Sequence, residues 1–478
     1  MDGIGLIRVV FNLRLRLNWQ VMNRLMVMEI PGLTRDMVER HAPALRALSK
    51  RGCSAGIVPI LPAVTMPAHA SVTTGLTPAE HGVVANGWFH REHNEVMFWR
   101  QSEGLVRGEP VWEAAKKRDP NFTCLKHFWW PGMASSADRY VNVRPAYFAD
   151  GRKGSDVYVN APGMSRELQD KFGVFPLFNF WGPATSIKST QWIVDTAKYL
   201  IDQEQPTLSM VYLPHLDYKQ QSHGPNHADI PADIQMLDEV ARDLIEFADR
   251  RDIQVMAIST YHMNEVHCPV SLNRIFRKQG WLRVIHNATG ELIDYGTSEV
   301  FAVADHQTAH VYIKNPDMIG DVQAMLLEVA GVARVFNRND QAEHGVDHPA
   351  AGDLFVLAEK KAWFTYYYWL NDEHAPDFAR TIAIHAKPGY DPCELFLDPT
   401  LTLPKFKIAR ALLKKKIGMR YLMDVIPLDA TLVKGSHGLL PQESGEHPVY
   451  INSEMESDLP EVLPMTDLKQ RILNQMFE

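Results

Sequence analysis

The sequence predicts an α/β protein in which a central, mostly parallel sheet is flanked by helices. Short β-rich runs alternate with longer segments of helical period, the pattern of such a sheet. The 478 residues, 46% hydrophobic and 22% charged, suit a globular chain with a large core and one inserted domain. The strand candidates also end beside residues of useful chemistry, as open α/β sheets place their sites.

Taken in order, residues 24–30 (RLMVMEI) read as the first core strand. Residues 41–52 (HAPALRALSKRG) read as a helix closed by Gly52. Residues 53–61, 208–216 and 254–260 are further strands, while 191–203 and 232–252 carry apolar residues at helical spacing. The tail after Leu440, rich in Glu, Ser and Pro, reads as a surface-bound or loosely ordered extension.

From Gly3 to Met28 the chain has Arg8, Arg14, Arg16 and Arg24 and no acid. That pattern suits a targeting segment or a membrane-surface helix, or an extension (1–21) upstream of a start at Met22. No stretch is long and apolar enough to span a bilayer. The net charge of −8 argues against a nucleic-acid polymer as partner, and Lys414, Lys415 and Lys416 read as a solvated helix face. Cys53, Cys124, Cys268 and Cys393 lie far apart, which suits free thiols in a reducing, cytoplasmic compartment. Nothing in the sequence signals an oligomeric state.

Residues 62–89 (PAVTMPAHASVTTGLTPAEHGVVANGWF) carry the most chemistry. Thr65, just ahead of Pro67, reads as the N-cap of a helix whose unpaired N–H groups and dipole favour an anion such as phosphate. An ordinary cap is the plainer alternative. Gly75, Gly82, Asn86 and Gly87 follow in the same stretch.

This Thr-x-Pro, Thr-Gly, His-Gly and Asn-Gly series resembles the nucleophile region of the alkaline phosphatase superfamily, in its type I phosphodiesterase / nucleotide pyrophosphatase branch. The resemblance runs from about residue 22 to about residue 439. It implies Thr65 as nucleophile and Asn86 as a donor to phosphoryl oxygens. It also implies two zinc ions held by three Asp, three His and the nucleophile. In YLPHLDYKQQSHGP, Asp217 takes the Asp position, but Gln221 stands at the His position, with His223 two residues on. In TLVKGSHGL, His437 takes the late His position. In STYHM, Thr260 and Tyr261 stand where an Asp and a His are expected, and His262 is one residue along. In MEIPGL, Pro31 holds the place of the first Asp; Glu29, two residues earlier, shares its strand face.

The expected metal set is therefore Glu29, Thr65, Asp217, His437 and one of His215, His223 or His262, with His262 chosen, around one divalent ion, expected to be zinc. His215 is the candidate substrate-binding residue beside Asn86, and reads equally as a hydrogen-bonded turn residue. Lys219 is a second group able to offset phosphate charge. The resemblance implies a metal-dependent hydrolase of a small phosphoric substrate (diester, pyrophosphate or phosphonate) using a Thr nucleophile. The alternative is a diverged member, non-catalytic or differently catalytic, that binds a phosphorylated or lipid-like ligand.

The comparison further implies a core of residues 22–265 and 411–445, an inserted α+β cap of 266–410 and an acidic tail of 446–478. Inside the insert, Asp305, His306 and His310 in AVADHQTAHVYI read as a metal site or a structural group. Asp347 and His348 read as a turn. The aromatic run 362–370 (AWFTYYYWL), like 128–130 and 175–183, reads as core or as a ligand wall.

Overall fold

The computed structural model describes residues 22–149, 153–419 and 421–478. The expectation for residues 1–21 lies outside them. The N-terminal strands are β1 (Arg24–Glu29), β2 (Cys53–Val58), β3 (Cys124–His127), β4 (Arg139–Val143), β5 (Val157–Val159), β6 (Leu208–Tyr212) and β7 (Ile253–Ile258). A second group is β8 (Val300–Asp305), β9 (Thr308–Ile313), β10 (Val332–Phe336) and β11 (Leu354–Ala358), and the chain ends with β12 (Val449–Asn452) and β13 (Val462–Pro464). The principal helices are α1 (Pro43–Arg51), α2 (Thr65–Thr74), α3 (Ile187–Glu204), α4 (His215–His223), α5 (Ile230–Asp249), α6 (Pro404–Lys416) and α7 (Leu468–Phe477).

The central sheet has nine strands in the order β13-β2-β12-β7-β1-β6-β3-β4-β5. β1 lies between β6 and β7 and is parallel to both, so Glu29 ends level with Tyr212 and Ile258. Pairings β6–β3, β3–β4 and β2–β13 are also parallel, while β12 and β5 pair antiparallel. β1 is buried on both faces, which its unbroken apolar run requires. Its side chains alternate: Leu25 and Val27 join a core with Ala68 and Val72 of α2 and with Leu468 and Ile472 of α7. Met26 and Met28 join the opposite core, with Ile234, Leu237 and Leu244 of α5.

As expected, Gly52 closes α1; its φ is −116° and its N–H donates to the Leu48 carbonyl. A Cβ there would lie 2.1 Å from the Asn452 carbonyl oxygen, so glycine admits the close approach of β12. The residues after 446 are not a loose tail. β12 is inserted between β2 and β7 with all four residues buried, and α7 buries Leu468, Ile472, Leu473 and Met476. Four of its acidic residues, Glu454, Glu456, Asp458 and Glu461, sit in the loop between β12 and β13.

The second sheet, β8-β9-β11-β10, is wholly antiparallel and has its own hydrophobic core. The aromatic run belongs to that core: Trp363, Phe364, Tyr366, Tyr367, Tyr368 and Trp369 are all buried, and regular strand covers only Ala362–Phe364.

Candidate active site

α2 starts at Thr65 itself, with Val64 in the cap position and extended, so Thr65 is the first helical residue and not the N-cap. Its hydroxyl is thus not spent on a backbone N–H. Thr65 Oγ1 lies 3.4 Å from the Tyr261 hydroxyl, which donates to Asp217 Oδ1 at 3.2 Å. Burial, then the neighbouring Asp217, push the Tyr261 phenol well above its usual range, so it stays protonated and able to donate.

Asn86 does something different from its expected role. Its Oδ1 accepts from Met66 N at 2.9 Å, and its Nδ2 and backbone N donate to Asp305 at 3.2 and 2.7 Å. The amide is spent at both ends and Asn86 does not line the cavity described below. It ties the first turn of α2 to the β8–β9 hairpin, which positions Thr65.

Asp217 lies in the first turn of α4, beyond the end of β6. Burial raises its pKa to about 7, against hydrogen bonds from Gln221 and Tyr261 that work the other way. Gln221 Nε2 donates to Asp217 Oδ2 at 2.6 Å, and Tyr390 donates to Gln221 Oε1 at 2.9 Å. His437 reaches the same place from a chain segment held against α4. There Gly435 packs so closely that a Cβ would lie 2.0 Å from the Gln220 carbonyl oxygen. The His437 Nδ1 contacts the Ala63 carbonyl at 2.8 Å, which requires the proton on Nδ1 and leaves Nε2 with its lone pair. That lone pair faces Asp217 Oδ1 at 3.6 Å. The rings of Tyr261 and His437 stack face to face at 3.7 Å.

Of the remaining predicted residues, all but His262 are paired elsewhere, and both His262 ring nitrogens are buried without a hydrogen-bond partner among the described residues. Glu29, fully buried, accepts from Thr260 at 2.6 Å and contacts His69 Nε2 at 3.4 Å. Because His69 Nδ1 accepts from Trp130 N, its Nε2 carries the proton toward Glu29. The nearest acid to His262 is Glu446, at 4.0 Å, and burial lowers its pKa to about 4. His215 and Lys219 both turn to Asp233, at 3.1 and 3.6 Å, and His223 contacts Ser222. Neither His215, His223, His262 nor Lys219 lines the cavity.

Thr65, Asp217 and His437 do share one cavity, of about 170 Å³. Its walls come from Trp99, Trp130, Trp181, Phe178, Phe180, Tyr218, Ile382 and Ile384, with Lys153 and His385 also lining it. Of the aromatic segments in the sequence, 128–130 and 175–183 form this wall and 362–370 does not.

One lining residue, His306, was read in the sequence as part of the local group Asp305, His306 and His310. It sits at the turn of the β8–β9 hairpin with φ +60°, a left-handed conformation costly for a residue with a Cβ. Its ring stacks between Tyr390 (3.6 Å) and His437 (3.8 Å). His306 Nδ1 is 2.7 Å from Asp305 Oδ1, and its buried Nε2 has no partner among the described residues. Burial holds its pKa well below the usual range. A neutral imidazole oriented by a carboxylate, with a bare Nε2 at the cavity, can accept a proton or a hydrogen bond. His310 instead contacts the Val84 carbonyl at 3.0 Å.

The donor set can be tested against a divalent metal. A carboxylate oxygen and a bare imidazole lone pair facing each other in a buried place suit two ligands of a cation. Zinc takes four donors at about 2.0–2.3 Å. Gln221, Thr260 and Tyr261 add no imidazole or carboxylate, and the Tyr261 hydroxyl lies between Thr65 and Asp217. Among the described residues, no three of Glu29, Asp217, His262 and His437 bring ligand atoms within 4.8 Å of one another. The group that does so is His286, Glu291 and His374, on the surface of the second sheet's half of the molecule.

Residues 25–391 match the sequence profile of the type I phosphodiesterase / nucleotide pyrophosphatase family. An uncharacterised pyrophosphatase/phosphodiesterase of Schizosaccharomyces pombe is 26% identical over 274 residues, which is 55% of this chain and 47% of that protein. Human ectonucleotide pyrophosphatase/phosphodiesterase family member 1 is 24% identical over 264 residues, 52% of this chain and 24% of the relative. The chain thus spans half or less of these curated relatives. Phosphonoacetate hydrolase of Sinorhizobium meliloti, solved with phosphonoformate, superposes with a TM-score of 0.61 at 14% identity, covering 95% of this chain and 96% of that one. An inactive form of murine ectonucleotide pyrophosphatase / phosphodiesterase 5, solved with AMP, gives 0.58 at 12% identity, covering 95% of each chain. The structural likenesses establish the shared fold, and the profile match establishes kinship: the chain belongs to the type I phosphodiesterase / nucleotide pyrophosphatase family.

Proposed function

We propose that the protein hydrolyses a small phosphoric or phosphonic ester whose leaving group is bulky and apolar, with Thr65 as nucleophile. The observation that carries this reading is the convergence of Thr65, Asp217 and His437 on an aromatic-walled cavity. Thr65 Oγ1 forms a bond to phosphorus as the ester oxygen departs and takes a proton from solvent. The Thr65 proton passes to the Tyr261 hydroxyl, whose own proton passes to Asp217, along contacts of 3.4 and 3.2 Å. The N-terminus of α2 favours the charge gathering on the phosphoryl oxygens. Water then attacks the phosphothreonine and gives a proton to His306 Nε2, while Thr65 recovers the one held by Asp217. When bound, a single divalent cation held by Asp217 and His437 beside Thr65 would polarise the phosphoryl group and acidify the hydroxyl.

A second reading is a diverged member that binds a phosphorylated, lipid-like ligand without turnover. It is favoured by the hydrogen bonds that Tyr261, Gln221 and Tyr390 already make around Asp217, which satisfy the site from within. The deciding experiment is metal analysis of the purified protein with hydrolysis of an aryl phosphodiester, with and without chelator. Turnover that Thr65→Ala abolishes supports the hydrolase. No turnover with or without added zinc or manganese, together with saturable quenching of cavity tryptophans by the same ester, supports the binding protein.

A further inference from the structure

We propose that α6 and the turn after it form a docking surface for an anionic lipid bilayer. The proposal goes beyond the hydrolase reading and does not depend on it.

α6 buries Ala411 and packs Ile408 against the second core. At 100° per residue, Phe406, Leu413 and Ile417 fall within about 40° of one another on the opposite face. That outward face is apolar: Phe406 is 67% exposed, Leu413 60% and Ile417 62%. Leu403, Met419 and Leu422 extend the exposed apolar surface at both ends. Ile417 still belongs to the helical geometry, since its N–H donates to the Leu413 carbonyl.

The charge pattern complements the stripe. Residues 401–423 hold seven Lys and Arg and no Asp or Glu, in a chain of net charge −8. By helical position, Lys414 falls on one side of the stripe and Lys405 and Lys416 on the other, while Lys407 is paired with Asp424 at 2.8 Å. An apolar ridge with cationic flanks matches a bilayer interface, where the ridge enters the acyl boundary while lysines reach anionic headgroups. A nucleic acid would satisfy the cations but leave the exposed Phe and Leu in water.

The surface is joined to the cavity by backbone. Asp398 N donates to the Val425 carbonyl and Ile426 N to the Arg380 carbonyl, which anchors both ends of the α6 excursion. Two residues beyond Arg380, Ile382 lines the cavity, whose rim also exposes Phe178 and Tyr147. Docking through α6 therefore attaches the bilayer next to the apolar wall of the cavity.

The test is co-sedimentation of the full chain with phosphatidylcholine vesicles, alone or with about one-third phosphatidylglycerol. Wild type should pellet with the anionic vesicles, less so at high salt. Phe406→Ser/Leu413→Ser/Ile417→Ser and Lys405→Glu/Lys414→Glu/Lys416→Glu should each weaken partitioning about tenfold or more. The substituted side chains face outward, so unchanged thermal melts confirm intact folding. Absence of binding to anionic vesicles, or equal binding by the triple Ser variant, overturns the proposal. So does lipid-independent dimerisation abolished by the same substitutions, or binding to DNA without binding to vesicles.

Discussion

Two places in this molecule gather histidine and carboxylate, and they differ in what neutralises the acid. On the surface, Glu291 lies 2.8 Å from His286 and 3.5 Å from His374, and Arg277 grips both of its oxygens. Burial raises the Glu291 pKa, but Arg277 and the imidazoles outweigh it, and the group ends below the usual range. Its charge is already paired. In the cavity, Asp217 faces a bare His437 lone pair with only Gln221 and Tyr261 donating to it, and burial lifts it to about 7. The better-spaced triad is thus the quieter one. A buried acid without a cation beside it calls for a proton, a metal or a substrate.

The sharpest way to break this contrast is Thr65→Ala. If the cavity is the reacting site, kcat should fall by about 10³-fold or more. The fold should lose only about 1 kcal/mol, since one long hydrogen bond disappears. A variant that keeps most of its rate would leave the cavity a binding pocket. Next in size, His306→Gln should cost about 10²-fold in kcat, the usual range for a lost general base, with little change in melting temperature. An unchanged rate would reduce His306 to a ring that stacks on Tyr390.

Acid should then separate the interior from the surface. Burial lowers His81 and His127 to about 3, and His262 and His310 to about 4, from 6.5. Their folded pKa values lie below the unfolded one. The stability they contribute is therefore complete above pH 6.5 and declines as pH falls toward 3–4. Asp217 has the opposite sign: raised in the fold, it costs stability as pH rises from 3.8 through 7. Urea midpoints should consequently drop by an amount worth several kcal/mol between pH 7 and pH 4.5. A flat profile would mean that these histidines are not held neutral.

A smaller effect tests the metal side of the comparison. Gln221→His restores an imidazole beside Asp217 and should tighten zinc binding at least about tenfold by calorimetry. No change would show that Asp217 and His437 share a proton and not a cation. Smallest of all, His286→Ala should leave hydrolysis within error and stability within about 0.5 kcal/mol. A loss of turnover there would reverse the ranking of the two clusters.

Much of the molecule was legible in the sequence because the signals are local. The buried runs of β1, β2, β6 and β7 and the apolar spacing of α1, α3 and α5 follow from side-chain period alone. Thr65, Asp217 and His437 were readable as a group only through the family resemblance of the segments that carry them, since they lie far apart in the chain. The bond from Asn86 to Asp305 was not legible, because it joins residues 219 positions apart in the chain. His306 was read with Asp305 and His310 as a local group, because nothing nearby in the chain says that its hairpin turn reaches Tyr390 and His437.

What the sequence by itself determined is the set of elements and the residues delivered to the carboxyl ends of parallel strands, since period and turn chemistry act over a few residues. Only the tertiary structure decided that residues 449–452 enter the middle of the sheet, that 177–181 and not 362–370 wall the cavity, and that Glu29 is spent on Thr260 and His69. Those outcomes depend on which distant segments compete for the same buried surface and hydrogen bonds, a choice settled only when the whole core packs.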